Sequence, residues 1–236
     1  MKYLIKLSIC LILLSGIVLN SFGQTIKERI DQNKEVKVYF MNYDIVHNPN
    51  TQPPMGSTNG GTGCPRFTET TPLPAEYAEA AKQVIELMNK GFNTTAFIVG
   101  DIANVPVKMK VPGADLYDWL KLGEPLAVNV ITTGAYTVEN GGLMGEKKLS
   151  DFLLMNSTLT VIGITEGKAK ALATKIIVWE SSPKIPVKEC SNYETFVKNF
   201  PPFSLIEPFK TSLATKTGDF IEKEMAAYEK AMKKKK

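Results

Sequence analysis

FLLMNSTLTVIGITEGKAKALATKIIVW, residues 152–179, decides the fold of this chain. It holds two runs dense in Val, Ile, Leu and Thr, residues 152–164 and 169–179, joined by Thr165, Glu166, Gly167 and Lys168. A connection that short, with a glycine free to take positive φ, is a hairpin turn. Strands joined so tightly are antiparallel neighbours. One step N-terminal, residues 126–138 form a third β-rich run, linked to the hairpin by the glycine-rich residues 139–148.

Further upstream the pattern is again extended. Val36, Val38 and Phe40 alternate with Lys37 and Tyr39, and Tyr43 and Ile45 prolong the run, as in a strand with one buried face. Residues 95–99 read as a short buried strand. Val105, Val107, Met109 and Val111 alternate with Pro106, Lys108 and Lys110; Pro106 lacks an amide donor, which places that strand at an edge.

Helices punctuate these runs. Tyr77, Ala81, Val84, Ile85 and Met88 form one apolar stripe, opened by Pro74 and stopped by Gly91. Asp115 is placed to cap a short helix carrying Leu116, Trp119 and Leu120 and ending at Gly123. A helix over residues 193–200 stops at Pro201 and Pro202. The last helix is expected to start at Asp219, with Glu222 three residues on and Ile221, Met225, Tyr228 and Met232 on its apolar side. Locally connected strands that outnumber the helices predict an α+β fold, a mainly antiparallel sheet with a few amphipathic helices packed on one face.

The ends of the chain speak of location. Lys2 and Lys6 precede an apolar run over residues 7–19, and small residues follow at Ser21 and Gly23, the layout of a secretory signal peptide over residues 1–23. No later stretch is long and apolar enough to span a bilayer. The expected organisation is one α+β domain over residues 24–232, with a long Pro-, Gly-, Asn- and Thr-rich loop at 47–73 and a lysine tail at 233–236, in a protein that is secreted or periplasmic. Export puts Cys64 and Cys190 in an oxidising compartment, so they are expected to form a disulfide rather than a reactive thiol, which would want a neighbouring histidine or cationic helix end.

Charge and motif exclude several activities. The chain has 28 basic and 24 acidic residues, and the excess in the mature part resides in the tetralysine end. Arg29 and Arg66 are the only arginines, which argues against a nucleic-acid surface. MGSTNGGTGCPRFT, residues 55–68, crowds glycines as phosphate loops do, yet Thr62 and Gly63 stand where Lys and Ser or Thr would be needed. It reads as a turn-rich surface loop.

FIVGDIAN, residues 97–104, sets Asp101 after a buried strand and a glycine, where metal-dependent phosphoesterases place a ligand. Such centres use several histidines, and this chain has one, His47. A turn carboxylate bonded to nearby amides is the plainer reading of Asp101. No metal site and no cofactor are expected. Asp115 and Asp118, three residues apart, are the remaining carboxylate candidates for hydrolysis, with helix capping as the plainer role. Tyr117, Trp119 and Tyr136, with Trp179, are candidates for a stacking surface, or are core rings. The functional expectation is a non-catalytic exported domain that binds a ligand, an envelope protein or a glycan. The alternative is a carboxylate-dependent hydrolase acting on a glycan or similar substrate.

Overall fold

The turn at the centre of residues 152–179 has Glu166 at φ 53° and Gly167 at φ 69°, both left-handed, as a two-residue hairpin requires. In the computed structural model, which describes residues 24–48, 64, 68–111, 114–141, 148–180 and 183–235, this turn joins the two strands of the hairpin. The helices are α1 (Ile26–Asp31), α2 (Ala75–Ala81), α3 (Gln83–Gly91), α4 (Trp119–Leu122), α5 (Tyr193–Asn199) and α6 (Ile206–Lys234). The strands are β1 (Val36–Asn48), β2 (Thr70–Thr71), β3 (Phe97–Val99), β4 (Val107–Val111), β5 (Ala114–Tyr117), β6 (Leu126–Asn140), β7 (Leu149–Thr165), β8 (Lys168–Glu180) and β9 (Ile185–Val187). The expected leader, and most of the expected loop, lie outside the described residues. At the ends of that loop, β1 runs on through His47 and Asn48, and Thr70–Thr71 pair with it.

The main sheet runs β2-β1-β6-β7-β8, with β3 added to β1 and β9 to β7. The β6–β7–β8 meander is antiparallel and β1 lies parallel to β6 and β3, so the sheet is mixed, chiefly antiparallel. A parallel neighbour needs a crossover. Here the crossover carries α2 and α3, whose stripe Tyr77, Ala81, Val84 and Met88 is fully buried. Helices α1, α5 and α6 join them on the same side, over Val38, Ile45, Val128, Tyr136, Leu153 and Leu159.

Three elements differ from the sequence pattern. The Pro74-led helix is two segments, α2 and α3, that meet at Lys82. Asp115 sits in β5, and Asp118 is the cap of a single-turn α4 that ends at Gly123, φ 77°. Helix α6 begins at Ile206, well before Asp219, because Phe209, Leu213, Phe220 and Ile221 form one buried stripe across Gly218. Pro208 lies in its first turn, where no amide donor is needed.

Among the described residues, a second layer covers one end of the other face of the sheet. There Tyr39, Val105 and Ala127 are buried beneath Ile102, Tyr117, Trp119 and Leu122, so the separate β4–β5 hairpin and α4 form a second, smaller layer. Beyond them Val46, Ile176 and Val178 are 45%, 60% and 53% exposed.

Candidate functional site

Strand alternation sends Tyr39 to the partly covered face and Val38 to the helical side, and a register shift between Asn42 and Ile45 breaks that alternation. The bulge returns Ile45 and His47 to the helical side and leaves Asp44 exposed, so Asp44 and His47 face opposite ways. Gly134 lies directly opposite Ile45 on one side and Met155 on the other. A Cβ there would stand 2.7 Å from Met155 Sδ and 2.9 Å from Ile45 Cγ1, so glycine is what lets the three strands close at the bulge.

Beside the bulge is an open concavity of about 530 Å³ lined by Asn42, Tyr43, Asp44, Val46, Thr70 and Thr133. The Thr70 hydroxyl donates to Asp44 at 3.0 Å. Burial, with Tyr117 and Asp115 adding to it, raises the Tyr43 phenol above its ordinary value. Thr133 faces Asn156 across β6–β7, and the Asn156 side-chain oxygen is buried without a partner.

In the hairpin, Lys110 and Asp115 face each other on one side, while on the other Met109 stands opposite Leu116. Met109 and Leu116 are 55% and 50% exposed, and Val107 and Leu120 are also exposed. Lys108 and Lys110 are exposed as well, so both sides of β4 meet solvent, and Tyr117 of β5 makes the inward contact.

The carboxylate candidates are not gathered into a catalytic set. Asp101 accepts from the Ala103 amide at 3.0 Å and from Asn104 Nδ2 at 3.3 Å, and Asp118 accepts from the Lys121 amide at 3.1 Å. Both are turn caps. Asp115 lies on β5, across from Lys110. Among the described residues no three His, Cys, Asp or Glu side chains stand where they could hold a metal ion.

The aromatic candidates divide between the two layers. Tyr117 and Trp119 have ring centroids 6.1 Å apart, and Trp119 meets Tyr39 edge-on at 5.5 Å, so both rings fasten the hairpin to the sheet. Tyr136 is fully buried and donates to the Phe200 carbonyl at 3.3 Å; it is core. The Trp179 side chain lies outside the described residues.

Two ionisable groups that the sequence did not single out as unusual lie on the helical side. His47 is 5% exposed and packs edge-on to Phe196, and burial lowers its pKa to about 4. Asp151 is fully buried, accepts from the Ser191 hydroxyl, and is raised by burial. Alternation alone reveals Asp151, since it falls on the inward parity with Leu149 and Leu153. Next to Ser191, Cys190 is bonded to Cys64.

No family model and no curated protein matches the chain. Among solved structures it is similar to a neuraminyllactose-binding hemagglutinin homolog of Helicobacter pylori, at 12% identity over 86% of this chain and 92% of that one, with a TM-score of 0.34. It is also similar to a Xanthomonas campestris protein of the family DUF330, at 8% identity over 85% and 90%, with a TM-score of 0.27. At such scores neither likeness bears on ligand or mechanism. No described helix is long and apolar enough to cross a membrane.

Proposed function

We propose that this chain is an exported, non-catalytic binding domain whose partner is another envelope protein, docked on the solvent side of the β4–β5 hairpin. The observation that carries the reading is that Val107, Met109, Leu116 and Leu120 are all exposed on one small layer. Clustered exposed apolar side chains of this kind mark association surfaces. The disulfide supports an oxidising location.

A protein partner is favoured over a glycan. Sugar sites lay rings flat against the ligand, and here Tyr117 and Trp119 are used against Tyr39 and each other. A carboxylate-dependent hydrolase has less support still, because Asp101 and Asp118 are engaged in caps.

The test is photo-crosslinking in the secreting cell, with a photoreactive residue at position 109 or 116 and, as control, at the exposed Glu222 of α6. A discrete protein adduct is expected from the hairpin positions alone, and Leu116→Lys with Leu120→Lys should remove it while the urea midpoint holds. Absence of any hairpin adduct would overturn the reading, as would turnover of esters, glycosides or peptides that one Asp→Asn change abolishes.

A further inference from the structure

Thr25 is the N-cap of α1. Its hydroxyl accepts from the Glu28 amide at 3.3 Å, while Glu28 Oε2 accepts from the Thr25 amide at 2.8 Å and from the Thr25 hydroxyl at 3.0 Å. This is a complete capping box. Glu28 Oε1 accepts from Lys235 Nζ, which joins the start of the domain to the end of α6. In the turn that follows, Ile26 and Ile30 are buried in the main core. Chain ends are ordered when they are tied down, and Thr25 and Glu28 supply the tie here.

That geometry bears on where a leader can be removed. Leaders are cut after a small-x-small pair that follows the apolar run. Two such pairs follow residues 7–19, Ser21 with Gly23 and Gly23 with Thr25. A cut after Thr25 would remove the cap and make the buried Ile26 a charged terminus. A cut after Gly23 keeps the box whole and leaves Gln24 first, one residue outside it.

We infer that the mature chain begins at Gln24 and that this residue is converted to pyroglutamate, an inference that rests on the exported reading of the chain. The reaction is intramolecular. The terminal amine nitrogen attacks the side-chain Cδ, the new N–Cδ bond closes a lactam, the Cδ–Nε2 bond breaks, and ammonia leaves with a proton from the amine. No oxidant, reductant or second substrate is consumed. The neutral amine is the attacking form, and an α-amine with an ordinary pKa of about 7.7 to 8.0 supplies some of it at neutral pH. The fold leaves the residue free to react, since no hydrogen bond to a described residue holds the Gln24 side chain. The Thr25 amide and hydroxyl, which the ring does not consume, keep their bonds to Glu28. The product has no terminal charge and no free amine for an aminopeptidase to engage, so the cap and the tie to Lys235 are protected from trimming.

Intact-mass spectrometry on protein freshly isolated from the secreting cell, before any digestion, tests this. The expected mass is that of residues 24–236 with Cys64 bonded to Cys190, lighter by one ammonia. Edman degradation of the denatured protein should be blocked until pyroglutamyl peptidase exposes Thr25. Asn-Gly pairs at residues 59–60 and 140–141 can lose the same mass by succinimide formation, so Gln24→Ala is the control. That variant should keep the same cut, show its full mass and be open to Edman degradation. A mass that includes residues 1–23 would overturn the exported reading together with the inference. A secreted chain that starts at Gln24 with its ammonia retained would overturn the inference alone, as would a first residue other than Gln24 or a Gln24→Ala protein that also loses ammonia.

Discussion

His47 is the only histidine, and its surroundings make it a stability sensor for acid. It lies inward on β1 against Phe196, and burial outweighs the opposing pull of Glu69. Its folded pKa of about 4 is below the ordinary 6.5, so the unfolded chain binds the extra proton between those values. The stability gained by keeping the ring neutral is therefore complete above pH 6.5 and is lost as pH falls through 4. Between pH 7 and 5 that loss should be about 1 to 2 kcal/mol. His47→Gln cannot titrate, so the midpoint difference between the two proteins in urea should narrow as pH drops to 5. A constant difference would show that the imidazole is not desolvated as described. Asp151 acts with the opposite sign: its raised pKa makes the neutral carboxyl the comfortable form, so its contribution fades as pH rises.

At the scale of elements, the β7–β8 hairpin was readable because every signal for it is local. Its turn also contains a flaw. Gly167 takes positive φ without penalty, but Glu166 takes it as well, at 53°. A residue with a Cβ is strained there by roughly 1 kcal/mol. Its compensation is an exposed pair with Lys170 at 2.9 Å, and exposed pairs contribute about 0 to 1 kcal/mol, usually near the bottom of that range. Glu166→Asn should therefore raise the urea midpoint, by a net amount worth about 0.5 to 1 kcal/mol, since Asn-Gly suits this turn. A fall in midpoint would mean that the ion pair outweighs the strain. Other elements left weaker traces. The parallel β1–β6 pairing joins strands some ninety residues apart and leaves no turn signature, and the first half of α6 was hidden because it holds Pro208 and Gly218, although Pro208 fits the first turn and the cost of Gly218 is offset by buried Phe209 and Leu213. At the candidate site, sequence found the alternation of Met109 with Lys108 and Lys110 but did not say which side meets the sheet. Which side of a two-stranded ribbon meets the sheet is set by Tyr39, Tyr117 and Trp119, and those contacts are non-local.

For the molecule as a whole, Cys64–Cys190 is the covalent link with the longest reach, spanning 126 residues. Cys64 is buried in the main core, and Cys190 packs at its margin just ahead of α5. The bond thus ties the region between β1 and β2 to the C-terminal helical layer, over the side of the sheet where His47 and Asp151 are buried. Closing so long a loop lowers the entropy of the unfolded chain by an amount equivalent to about 4 to 5 kcal/mol in the simple model, with real bonds often giving less. A domain of ordinary stability has about 5 to 15 kcal/mol in all, so the reduced protein should still fold, with much of its margin gone. Urea titrations with and without reductant should show a clearly lower midpoint on reduction, and Cys64→Ala with Cys190→Ala should reproduce the reduced curve in oxidising buffer. A midpoint that ignores reductant would show that the helical layer holds this region without the bond. The fold would then depend on export no more than a cytosolic domain does, and the strongest physical reason for placing the binding surface outside the cytosol would be lost.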